Sequence, residues 1–122
     1  MRGSGNVRRT NYLKMAGASG ACQGETNCTT DTPGNIHVYA LACSVTVIPG
    51  SPSTRVFTLR QGGNDTTLVC TVTSNANSCT ARDENGVAIG EGTHWGVKTT
   101  ITNATANNAS GGCVIYFNLD AF

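Results

Sequence analysis

From Ile36 to Leu119 the side chains alternate with a period of two through one segment after another, and no segment carries the three-to-four spacing of an amphipathic helix. His37, Tyr39, Leu41, Cys43, Val45 and Val47 fall on one side of an extended backbone, and Val38, Ala40, Ala42, Ser44 and Thr46 on the other. Pro49-Gly50-Ser51-Pro52 ends that run with turn chemistry. Thr54 to Arg60 alternates again, setting Val56 and Thr58 opposite Phe57 and Leu59, and Gln61 to Asp65 supplies a glycine-rich reversal into a partner strand, Thr66 to Thr73.

The turn Ser74-Asn75-Ala76-Asn77 leads into Ser78 to Arg82, which reads as a second hairpin. Asp83-Glu84-Asn85-Gly86 is a further turn, followed by a short strand from Val87 to Ile89, the turn Gly90-Glu91-Gly92, and strands from His94 to Thr102 and from Cys113 to Leu119. This spacing predicts an all-β chain, a jelly-roll or Greek-key β-sandwich of about eight strands. Residues 1–35 lack either period apart from the short piece Asn11 to Ala16, and read as an extended basic arm and a disulfide-clipped loop, leaving 36–122 as the β-sandwich domain.

Six cysteines in a chain of 122 residues form an even set, the mark of a disulfide framework in an oxidising environment. No Cys-x-x-Cys occurs and neither His37 nor His94 has ligand-like neighbours, so zinc and other cofactors are not expected. A reversal centred between Ser74 and Asn75 sets Cys70 opposite Cys79, Cys22 and Cys28 clip the early loop, and Cys43 with Cys113 staples distant strands. The last pairing is one choice among several that six cysteines allow.

Charged residues make up only 12% of the chain, and the net charge of +1 conceals an asymmetry. Arg2, Arg8, Arg9 and Lys14 stand in the first fourteen residues without an acid, while the remainder has a net charge of −3. Such an arm suits docking on an acidic partner surface, and four charges are too few for nucleic-acid binding to be expected. Met1 to Gly20 lacks the apolar run of a secretory signal, and no apolar stretch is long enough for a membrane helix. An oxidised protein without a signal peptide is expected where cell lysis releases it, as it does virion proteins. Asn27, Asn64, Asn103 and Asn108 begin Asn-x-Ser/Thr triplets, at a frequency chance explains in so Asn- and Thr-rich a chain.

The residues argue against an enzyme. Acyl transfer needs a nucleophile with an oriented base, yet His37 begins a strand, His94 precedes Trp95, and no Gly-x-Ser-x-Gly is present. Asp83 and Glu84 are neighbours on a turn and Glu91 sits between glycines, an arrangement unlike the paired carboxylates of glycosidases or a calcium loop. No phosphate-binding glycine motif occurs.

The segments Thr54-Arg-Val-Phe-Thr-Leu-Arg60, Gly63-Asn-Asp-Thr-Thr-Leu-Val-Cys-Thr-Val72 and Asn77-Ser-Cys-Thr80 resemble phage and bacterial β-domains. Val87-Ala-Ile-Gly-Glu-Gly92 and Tyr116-Phe117-Asn-Leu119 resemble trimeric jelly-roll heads related to the C1q and tumour-necrosis-factor fold. The resemblance spans about residues 36–122; Glu91 replaces the usual Asp, and a collagen-like stalk is lacking. It implies a structural virion protein, a capsid decoration or head-fibre module at the virion surface. Such a protein would form a homotrimer on the major capsid protein or another virion protein, with Arg2, Arg8, Arg9 and Lys14 as docking residues. The alternative is a secreted carbohydrate- or receptor-binding module whose ligand meets Trp95 and the loop from Asn103 to Gly112. A disulfide-rich inhibitor is a third possibility.

Overall fold

A computed structural model describes residues 34–46, 53–101 and 111–118 in full, and the backbone alone of 2–6, 11–13, 21–22, 30–31, 102, 110 and 119. Among the described residues every regular element is a strand. The strands are β1 (Arg2–Asn6), β2 (Asn11–Leu13), β3 (Ala21–Cys22), β4 (Thr30–Asp31), β5 (Ile36–Val45), β6 (Thr54–Gln61), β7 (Asn64–Val72), β8 (Ser78–Ile89), β9 (His94–Thr102) and β10 (Ser110–Leu119). They form two antiparallel sheets, one in the order β1-β10-β5-β8 and the other β3-β2-β9-β6-β7, with β4 also paired to β9.

The hairpin of β6 and β7 follows the sequence expectation. Gly62 and Gly63 both have positive φ, 56° and 80°, the backbone that a tight reversal between twisted strands demands. The Gly62 N–H donates to the His94 carbonyl at 2.8 Å, fixing this turn against the start of β9.

The second hairpin does not form. Among the described residues β7 pairs with β6 alone, whereas β8 pairs with β5 in the other sheet, so the 73–77 connection carries the chain across the core. Local bonds hold the crossing: the Ser74 hydroxyl donates to the Ser53 carbonyl at 2.7 Å, and the Val45 N–H donates to Asn77 O at 2.8 Å. Turn chemistry announces a reversal, but not which strand the chain pairs with afterwards.

The faces of β5 also differ from simple alternation. Ile36 and Val38 are buried, as are Leu41, Cys43 and Val45, so the inward set shifts by one residue at Tyr39. The register slips there between Val38 and Ala40, the signature of a β-bulge, which returns His37 and Tyr39 to the outer side. Opposite the bulge, Asp83 to Gly86 stand outside the pairing of β8, whose ladder resumes at Val87.

Both sheets line one core, with Val38, Leu41 and Ile115 from the first and Phe57, Leu59 and Trp95 from the second all at most 2% exposed. Full burial of each such side chain stabilises the fold by roughly 1.5–3 kcal/mol. Trp95 on β9 meets Phe117 on β10 edge-on across the core, ring centroids 6.0 Å apart. The architecture is all-β and compatible with a β-sandwich.

The N-terminal segment departs from the arm expected of residues 1–35. Arg2–Asn6 pairs along β10 from Val114 to Ser110, and Asn11–Leu13 pairs with both β3 and β9. Backbone bonds recruit these residues into the sheets, and a strand as rich in Gly and Ser as β1 carries no apolar period to reveal it.

Candidate functional site

The cysteines come together in the core. Cys43 on β5 lies directly opposite Cys113 on β10 and is bonded to it, while Cys70 on β7 is bonded to Cys79 on β8. These are the two pairings put forward for the four residues, but Cys70–Cys79 spans two sheets where a cross-strand bond within one hairpin was expected. Cys22 and Cys28 as a pair lie outside the described residues. The sulfurs of Cys43, Cys70 and Cys79 fall within 4.8 Å of one another, yet each is in a disulfide, so no thiolate is offered to a metal.

Trp95 is 2% exposed, which removes it from any ligand surface. Its indole packs into the core because it stands in register with Gln61 on β6 and shares the inner face of β9 with buried Val97. Arg2 is placed in β1 by its backbone, whereas Arg8, Arg9 and Lys14 lie outside the described residues. His37 and His94 belong to different sheets, on β5 and β9, and are not brought together. Glu91 lies in the turn before β9, its N–H donating to Asn35 Oδ1 at 2.9 Å.

The bulge of β5 and the excursion of β8 build an open groove on the outer side of the first sheet. Tyr39, Arg82, Glu84 and Asn118 line a volume of about 600 Å³. Tyr116, 56% exposed, alternates with buried Ile115 on β10 and so faces the same side as Asn118. Tyr39 is held from behind: its ring stacks at a tilt of 31° on His37, with centroids 6.4 Å apart. Gly86, at φ 73°, approaches so closely that a Cβ there would lie 2.9 Å from His37 Cβ and 3.0 Å from Tyr39 Cε1. The Asp83–Gly86 turn is legible in the sequence but this groove is not, because its walls come from three strands and the bulge that turns Tyr39 outward.

A second polar feature sits at the β6–β7 turn. Asp65 accepts from Arg60 Nη1 at 2.6 Å and from Lys98 Nζ at 2.8 Å, and these partners hold its carboxyl below the usual carboxylate range, Lys98 most strongly. Arg60 Nη2 also donates to the Gly63 carbonyl at 2.6 Å, so the guanidinium clamps the turn.

Fold and site together define an all-β protein of two antiparallel sheets, stapled within one sheet and between the two by disulfides. No family model matches this chain, and no curated protein matches it in sequence.

Proposed function

We propose that the chain is a non-catalytic jelly-roll module of a virion surface, a decoration or head-fibre protein that assembles as a homotrimer on a capsid or other virion protein. Strand order is the observation that carries this reading. With the two-residue β3 and β4 set aside, the sheets run β1-β10-β5-β8 and β2-β9-β6-β7. That order supports eight strands wound into the two Greek keys of a jelly roll, an architecture that serves viral capsid and lectin domains alike. Fold alone does not decide function, so the step to the virion rests on the resemblance of residues 54–92 and 116–119 to phage and trimeric heads. Disulfides accord with a location outside the reducing cytosol.

Docking draws on charge complementarity from Arg2, Arg8, Arg9 and Lys14, multiplied by three copies. Arg2 belongs to β1, which pairs with β10, so charge variants test the docking residues better than truncation, which would delete strands. Light scattering on the purified protein is expected to give a trimer. Co-sedimentation with assembled capsid shells is expected to saturate at a fixed stoichiometry and to weaken in Arg8→Gln/Arg9→Gln/Lys14→Gln. A monomer that leaves the shells bare would overturn the reading.

The groove at Tyr39 favours a second reading, a secreted glycan-binding module. A tyrosine face beside an amide and charged side chains suits a sugar's apolar ring face and its hydroxyls. Glycan-array binding abolished by Tyr39→Ala, with no shell binding, would select it over the first.

A further inference from the structure

Arg55 occupies a position in β6 where an apolar residue is the rule. It shares the inner face with Phe57 and Leu59, stands in register with Val72 and Ile101, and is 0% exposed. Its Nε, Nη1 and Nη2 meet no hydrogen-bond partner among the described residues. Thr99, equally buried, faces inward one row away on the neighbouring strand β9, and its Oγ1 is unpartnered among the described residues as well. Cross-strand diagonals of this kind lie about 7–8 Å apart at the backbone, within reach of an arginine side chain.

The facing sheet carries glycines at this end. Cys70–Cys79 levels the row of Phe57, Thr99 and Cys70 with that of Cys43 and Cys113, which puts Arg55 one row further out, at the level of Val45 and Gly111. Gly111 pairs with Gly5 and Cys113 with Gly3, so three inward positions of the first sheet at this end carry no side chain. A buried guanidinium is not relieved by losing its proton, since arginine stays charged in proteins, so its burial calls for an anion.

No acid of the connections at this end supplies that anion. Residues 7–10, 46–53, 73–77 and 103–109 contain neither Asp nor Glu, whereas 7–10, joining Asn6 to Asn11, contain Arg8 and Arg9. Of the described acids, Asp65 is engaged at the opposite turn, Asp83, Glu84 and Glu91 belong to β8 and the turn after it, and Asp31 is level with His94; Asp120, outside the described residues, adjoins in sequence Leu119, which is level with Ile36. Only Glu25 has no place in this partition.

We propose that Arg55 and Thr99 form a binding site for a small oxyanion, phosphate, sulfate or a free carboxylate, at the end of the two-sheet core lined by Gly3, Gly5 and Gly111. The guanidinium fork donates two parallel bonds to two oxygens and the threonine hydroxyl donates to a third, while the missing side chains opposite make the space. This site is separate from the groove at Tyr39 and independent of the proposed virion role.

The test is phosphate titration of the full chain at constant ionic strength, followed by calorimetry and by the thermal unfolding midpoint, which rises with any ligand that binds the folded state alone. Wild-type protein is expected to bind one phosphate and to gain in midpoint. Arg55→Met should abolish both effects, and Thr99→Val, which keeps shape and removes the hydroxyl, should weaken binding by about tenfold, the scale of one lost charge-assisted bond. Should Arg55→Met fail to fold, Thr99→Val alone carries the comparison. Wild-type protein indifferent to phosphate, or Thr99→Val binding it unchanged, overturns the proposal. So does a Glu25→Gln variant that loses as much midpoint as Arg55→Met with no further loss in the double variant, because the guanidinium would then be paired from within the chain.

Discussion

Cys70 and Cys79 are separated by nine residues in sequence yet belong to different sheets, and the bond between them crosses the core with their Cα atoms 5.8 Å apart. Cys43 and Cys113, separated by 70 residues, are neighbours within one sheet. Loop-closure entropy therefore ranks the two staples. Replacing Cys43 and Cys113 together by Ala should cost about 4 kcal/mol, and replacing Cys70 and Cys79 about 2.5 kcal/mol, in the chain-entropy account. Urea unfolding of both double variants checks the order, and equal losses would show that the inter-sheet staple acts through native packing as well.

Gly86 combines a left-handed backbone with contact against the Tyr39 ring, whereas Gly63, at φ 80°, has nothing within 4 Å of where its Cβ would be. Gly63→Ala should cost about 1 kcal/mol for the backbone alone, and Gly86→Ala should cost more because His37 and Tyr39 must also move. Comparing the two unfolding free energies isolates the steric part. Gly86→Ala should also change ligand binding in the groove if Tyr39 contacts a ligand.

Asp65 is held below its ordinary pKa by Lys98 and Arg60, so its contribution is present above the unfolded carboxylate range and is lost as pH falls through the lower folded value. The carboxylate side chain is 52% exposed, so solvent and salt screen the pairs. Asp65→Asn should lower stability at neutral pH by about 0.2–1 kcal/mol. Unfolding curves should show that difference shrinking below the folded pKa and in concentrated salt.

Trp95 is the chain's single tryptophan and lies in the core against Phe117. Its fluorescence should be blue-shifted in the native protein and move red on unfolding, giving a direct probe of the core. Trp95→Ala should cost about 3–5 kcal/mol. Loss of binding to any ligand by that variant should track its unfolded fraction rather than a lost contact.

What the sequence made legible were elements whose information is local. The Gly62-Gly63 reversal and the strands beside it follow from alternation and turn chemistry, because the φ values demanded there belong to glycine. Pairing across the sheets was not legible in the same way. Ser74 to Asn77 reads as a hairpin turn, yet β8 joins β5, since partner choice depends on long-range contacts that no local pattern records.

The same division holds at the sites. Arg55 was not singled out in the alternation of Thr54 to Arg60, although a charge on the same face as Phe57 and Leu59 was the available signal. The groove had none, because a one-residue bulge at Tyr39 reverses the faces of His37 and Tyr39. Trp95, a ligand contact in the alternative sequence reading, is core because β9 is central in its sheet and covered by β10.

The jelly-roll reading depends most on β1 closing the first sheet against β10, where Ser4 stands opposite Gly112. The direct measurement is peptide mapping of the oxidised Ser4→Cys/Gly112→Cys variant under non-reducing conditions. A 4–112 bond formed within the monomer, beside the intact 43–113 and 70–79 bonds and with a higher unfolding midpoint, is the expected result. Two free thiols at 4 and 112 in an otherwise natively bonded protein would contradict it, placing the N-terminal segment outside the sheet.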